Sequence, residues 1–213
     1  MSDSQRSQRW QRRKDARPAE LLDAALAEFF EKGFESARLE DIATRAGVSK
    51  GTIYLYFDSK EDIFQALVKS IPQANVERLA EVVQDTSVPA EVLLRRFLTL
   101  MGGLIRDERM KKFPRLLIAE AGRFPHLADI YREDVISRGA GILSSVIERG
   151  IAENRFHAVN PMHAAYAAIA PLLFVAIWQT TFERPDDGPL DGESFVSQHI
   201  DTFLRGICKG DTQ

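Results

Sequence analysis

The chain has 213 residues, 45% of them apolar and 28% charged, with a formal net charge of −3. That is the composition of an ordinary globular protein, and it excludes a disordered, fibrous or uniformly basic chain. Cys208 is the only cysteine, which excludes an internal disulfide and fits a reducing compartment, the cytoplasm.

The N-terminus is polar and lacks the apolar stretch of a secretory signal. Residues 1–17 carry Arg6, Arg9, Arg12, Arg13, Lys14 and Arg17 against Asp3 and Asp15, whereas residues 61–213 hold 17 basic and 21 acidic side chains. A basic flexible arm over residues 1–16, on a mildly acidic body, suits contact with a polyanion at one end; a merely solubilising tail is the alternative.

No strand-like alternation is sustained, so the chain is expected to be all-α. A first helix is predicted from Pro18 to Lys32, with Gly33 as its stop and an apolar face of Leu22, Leu26, Phe29 and Phe30, continued by Phe34. A second covers Leu39 to Ala46, with Leu39, Ile42 and Ala43 inward and Gly47 turning the chain. A third runs from Lys50 to Phe57, capped by Ser49, with Ile53 and Phe57 inward. Ser59 and Asp62 form a capping-box-like pair for a fourth, whose inward residues are Ile63, Leu67 and Ile71 and which bends at Pro72. Five or six helices follow: one opened by Pro89 and reaching Arg106, a short one opened by Pro114, a long one from Pro125 to Arg149, one from Asn160-Pro161 to Phe182, and a last one over Glu193 to Cys208 after the loop at 184–192.

Helices two and three around Gly47 form a helix-turn-helix pattern, and the short third helix carries Ser49, Lys50, Thr52, Tyr54 and Tyr56. These hydroxyls and this amine suit phosphates and base edges. Gly51 omits a side chain where such a helix presses closest to a duplex. Thr52 and Tyr54 are the candidates for base or thymine-methyl contacts; Arg38, Tyr56 and Lys60 are the candidates for phosphates, and Arg45 flanks the element.

Residues 17–63 resemble the DNA-binding domain of the TetR family of bacterial transcription regulators. The likeness rests on Phe29-Phe30-Glu31-Lys32-Gly33-Phe34, Asp41-Ile42-Ala43, the run Ala46-Gly47-Val48-Ser49-Lys50-Gly51-Thr52-Ile53-Tyr54-Leu55-Tyr56-Phe57, and Ser59-Lys60-Glu61. It implies an all-α homodimer with a three-helix DNA-binding domain at 17–63 and a larger effector-binding and dimerisation domain at 64–213. It also implies DNA contacts at Lys50, Thr52, Tyr54, Tyr56 and Lys60. Ala37-Arg38 departs from the family's usual Ser or Thr cap before the second helix, costing about 1 kcal/mol.

In the second domain Phe97, Met101, Leu104, Leu117, Phe124, Tyr131, Phe174 and Trp178 are candidates for lining a ligand cavity, with plain core packing as the alternative for each. The uncharged run Ala164–Trp178 spans 15 residues with Pro171 inside, short of the roughly 20 that cross a bilayer; it predicts a buried helix. Leu172, Leu173, Val175, Ala176 and Ile177, with five alanines between 164 and 170, make the last two helices the expected dimer interface. His126, His157, His163 and His199 are scattered without metal-ligand spacing, and no nucleophile, phosphate-loop or dinucleotide motif is present. No catalysis, metal or cofactor is therefore expected.

The sequence thus predicts a regulator, a repressor released by a small-molecule effector. Two recognition helices would bind double-stranded DNA at a palindromic operator, with half-sites about 34 Å apart. The alternatives are a ligand-independent regulator or activator of the same fold, and a helical adaptor or enzyme whose first domain contacts proteins.

Overall fold

The structure is a computed structural model. It describes the backbone of residues 3–184, 186, 188 and 190–210, and their side chains apart from 3–17, 71, 72, 105 and 109. The side chains of the basic arm, Ile71 and Pro72 therefore lie outside the described set. The helices are α1 (Asp3–Ser36), α2 (Leu39–Arg45), α3 (Lys50–Ile53), α4 (Lys60–Val82), α5 (Ala90–Arg106), α6 (Glu108–Glu120), α7 (Pro125–Tyr131), α8 (Arg138–Ala152), α9 (Pro161–Ile177) and α10 (Gly192–Ile207). Two π-helical stretches, Arg132–Ser137 and Trp178–Phe182, continue α7 into α8 and extend α9. The chain forms two units, Met1–Lys69 and Ser70–Gln213.

In the first unit the helix runs through Pro18 instead of starting on it. The preceding residues are mostly strong helix formers, and the proline forfeits one backbone bond within that run. Gly33, at φ 77°, breaks the regular geometry where the stop is predicted. Leu21, Ala25, Leu26, Phe29, Phe34, Ile42, Ile53, Ile63, Phe64 and Leu67 form the core, with Phe29, Phe34 and Phe64 stacked at 5.1–6.2 Å between centroids. Ile63, Phe64, Leu67 and Val68 of α4 are buried within this unit, which runs to Lys69.

The turn after α2 closes by two backbone bonds, Val48 N–H to Ala43 O (2.9 Å) and Gly47 N–H to Thr44 O (3.1 Å). This Schellman closure needs a left-handed residue, and Gly47 supplies it at φ 67°. The α-helical part of α3 is one turn, shorter than the predicted Lys50–Phe57. Beyond it Leu55 and Tyr56 donate to carbonyls three residues back, at 3.2 and 3.0 Å. Gly51, the β-branched Ile53 and the aromatic Tyr54, Tyr56 and Phe57 disfavour a longer helix.

In the second unit α5, α8, α9 and α10 pack around Leu93, Leu94, Phe97, Leu143, Ile147, Ala168, Leu172, Ile200 and Leu204. α6 begins before Pro114, because Asp107 accepts the Met110 N–H (3.2 Å) and caps the helix there. Asn160 caps α9 through the His163 N–H at 2.9 Å. α9 and its extension, Pro161–Phe182, have the length and apolarity of a membrane span, yet only 28% of its most apolar window is buried. The expectation of a buried helix is therefore corrected. Ala165, Ala168, Leu172, Val175 and Ala176 face the unit's own core, while Met162, Tyr166, Leu173, Phe174, Trp178 and Phe182 stay exposed.

Gly150 lies against the Phe156 ring, and a Cβ there would come within 2.2 Å of it. Gly150→Ala should destabilise this unit by about 1–3 kcal/mol through overpacking. Gly206→Ala, also helical but with open space around it, should be neutral or stabilising. Urea unfolding of the two variants tests the pair; equal midpoints would refute the packing role of Gly150.

Candidate DNA-binding surface and ligand cavity

Ile53 is the buried residue of α3. Its neighbours Thr52 and Tyr54 fall about 100° to either side, and Gly51 and Leu55 on the face opposite. Tyr54 is 44% exposed and Leu55 80%. A Cβ on Gly51 would meet only the Ser49 hydroxyl, at 3.9 Å, so nothing within the described chain requires a glycine there. Ser49 accepts the Thr52 N–H (3.2 Å), and the two hydroxyls are 2.8 Å apart. Each hydroxyl keeps hydrogen-bonding capacity beyond that contact. Tyr56 is half-buried.

The cations divide into two groups. Arg38 caps α2 with extended backbone, makes no side-chain cap bond and is exposed. Lys50 pairs with Glu40 at 2.6 Å, both exposed. That bond raises the Lys50 pKa and lowers that of Glu40, but an exposed pair exchanges readily for a phosphate.

Arg45 instead works inside the unit. Its Nε donates to Glu28 (2.9 Å) and its Nη1 to Glu31 (3.1 Å), while Nη2 pairs with the other Glu31 oxygen. These bonds, that to Glu31 first, raise its pKa. Glu28 is only 2% exposed and also pairs with Lys32. Arg45, expected to flank the DNA-reading element, is held within the unit by the buried Glu28 carboxylate and by Glu31. Lys60 donates to Phe34 O (2.8 Å) and Glu35 O (2.7 Å) and sits 4.8 Å above the Phe34 ring. It thus holds the end of α1, which the sequence pattern does not reveal.

The second unit holds a cavity of about 470 Å³. Phe97, Met101, Leu104, Leu117 and Tyr131 line it as predicted. Phe124, Phe174 and Trp178 do not. Phe124 precedes α7 and lies against His126 and under Arg123. The cavity face of α9 is Tyr166, Ile169, Ala170, Leu173 and Ala176; Phe174 is about 100° off that stripe. Phe174 joins Trp178, Phe182 and Phe195 in a surface chain of rings 5.8–6.3 Å apart. Sequence reasoning missed Asn75, Val76 and Leu79 of α4, Met110 of α6, and Val135 and Ile136 of the π-helical stretch. It also missed Leu55, whose signal is its placement four residues after Gly51, opposite Ile53.

Residues 21–67 match the sequence profile of bacterial regulatory proteins of the tetR family, and residues 92–206 that of the AefR-like transcriptional repressor C-terminal domain. The chain is 26% identical over 204 residues to the HTH-type transcriptional repressor KstR2 of Mycobacterium tuberculosis, covering 92% of this chain and 94% of that one. The structure of that ketosteroid transcriptional regulator superposes with a TM-score of 0.71, at 25% identity over 91% and 96% of the two chains. The HTH-type transcriptional regulator RutR of Escherichia coli O157:H7 is 27% identical over 197 residues, 92% and 90% of the chains. FadR of Bacillus subtilis, solved in complex with stearoyl-CoA, shares the fold with a TM-score of 0.67 at 21% identity, over 89% and 98%. With a helix-turn-helix unit followed by a helical unit, each matching its own profile, this chain belongs to the tetR family of DNA-binding bacterial transcription regulators.

Proposed function

We propose that the protein is a homodimeric repressor in the cytoplasm, which binds a palindromic operator through α3 and releases it when a small molecule occupies the cavity. The single observation that carries the reading is the projecting edge of α3, tethered by Ile53 and free at Tyr54 and Leu55. Phosphate contacts fall to Arg38 and Lys50, with Ser49 and Tyr56 beside them. Base contacts fall to Thr52, Tyr54 and the apolar Leu55, which suits a thymine methyl. Gly51 allows the backbone to approach the groove.

Release requires an effector that binds the two states of the dimer with different affinity. α4 supports this role because its first turns supply Ile63, Phe64 and Leu67 to the DNA-binding core, while its later turns supply Asn75, Val76 and Leu79 to the cavity wall. A second copy of the chain is the occupant proposed for the exposed apolar face of α9. That face is the one expected when two copies bury their last helices together.

Log operator affinity should fall linearly with log salt, and Lys50→Ala, which removes one phosphate contact from each of two copies, should flatten that slope by about 1.8 while weakening binding to all sequences alike. Fluorescence anisotropy over a salt series checks this; an unchanged slope removes Lys50 from the phosphate set. Arg45→Ala should lower the thermal midpoint of the protein, because Glu28 loses a partner, whereas Arg38→Ala should leave the midpoint unchanged and weaken DNA binding; calorimetry and anisotropy read the two effects, and the opposite pattern would reverse the assignments. Replacing Trp178 and Phe182 together by Glu should yield monomers in sedimentation equilibrium, with operator affinity reduced; a persisting dimer would place the interface elsewhere.

A further inference from the structure

The cavity also indicates what kind of molecule it takes, an inference that rests on the reading of the cavity as the effector site. Of its lining residues, only Asn75, Tyr131 and Tyr166 carry polar side-chain atoms, and none is charged. A carboxylate or phosphate enclosed there would give up its hydration with no cation among the described lining residues to replace it. Asn75 already donates to Met110 Sδ at 2.9 Å. Tyr166 is 43% exposed, at the mouth with Ile118, Ile136 and Leu173, where water satisfies its hydroxyl.

Tyr131 differs from both. Its ring packs on Phe113 at 5.6 Å, and its hydroxyl has no hydrogen-bond partner among the described residues. Burial alone pushes its pKa up to about 12, so it is a neutral donor at any cellular pH. Tyr131 is half-buried and lines the cavity, so its hydroxyl is open to an acceptor on a bound molecule, in a volume otherwise bordered by hydrocarbon. Tyr131 also closes α7 at the start of the π-helical stretch that supplies Val135 and Ile136 to the same wall.

We propose that the effector is an uncharged, largely apolar molecule bearing one carbonyl-type oxygen, which accepts a hydrogen bond from the Tyr131 hydroxyl. The class excludes as tight ligands all molecules whose charged group must enter the cavity.

The test titrates the full-length protein with methyl heptyl ketone, nonanoate and nonane. Isothermal calorimetry measures binding, and anisotropy of bound operator DNA measures release. The ketone should bind at least about tenfold more tightly than nonanoate. Tyr131→Phe, which removes one oxygen from a packed ring, should weaken the ketone by about two- to tenfold and leave nonane unchanged. Nonanoate binding as tightly as the ketone overturns the uncharged class. Unaltered ketone affinity in Tyr131→Phe overturns the hydrogen bond, as when a water already fills that role, and failure of all three to bind overturns the site. If the ketone binds through Tyr131 but leaves the operator bound, the ligand class stands and the release mechanism falls.

Discussion

One buried side chain holds the recognition segment in place. α3 is a single α-helical turn and presents only Ile53 to the core. A helix of that length has no stability of its own; it exists because Ile53 is gripped by its unit, Ser49 caps its start, and the Gly47 turn delivers the chain at the right angle. This economy is also what leaves the other faces of α3 uncovered.

The charges around that segment are sorted by the same logic. Lysine and arginine near a helix-turn-helix invite assignment to phosphates, but the fold has prior claims on some of them. Glu28, enclosed on the flank of α1, requires cations, and Arg45 and Lys32 meet that need. The carbonyls at the end of α1 require donors, and Lys60 answers. Among the described residues around α3, Arg38 and Lys50 are the cations left for an external polyanion, Lys50 being paired with an exposed carboxylate. In the proposed reading, Lys50 exchanges its exposed ion pair with Glu40 for a phosphate when DNA binds.

Much of this was legible in the sequence. The helical punctuation, the Gly33 and Gly47 breaks and the caps at Ser49, Ser59 and Asn160 are local signals, and local signals set helix positions. Pro18 and Pro114 misled because proline marks a helix start only when no stronger cap lies upstream; Asp107 is such a cap for α6. The ion pairs of Arg45 and the hydrogen bonds of Lys60 to backbone carbonyls join residues 14 to 26 positions apart, beyond what periodicity registers. The cavity was half legible. Helical phase identified Phe97, Met101 and Leu104 on α5, but on α9 a uniformly apolar helix carries no phase information, so Phe174 and Trp178 could not be told from Ile169 and Leu173 without the packing.

The most direct test of α3 as the reading element is selection of duplexes from a random pool by the protein and by its Thr52→Val and Tyr54→Ala variants. The wild-type protein should select a two-fold symmetric consensus, and each variant should lose preference at its own position in both half-sites while keeping the rest. A consensus without symmetry, or one that neither substitution alters, would contradict recognition through this edge.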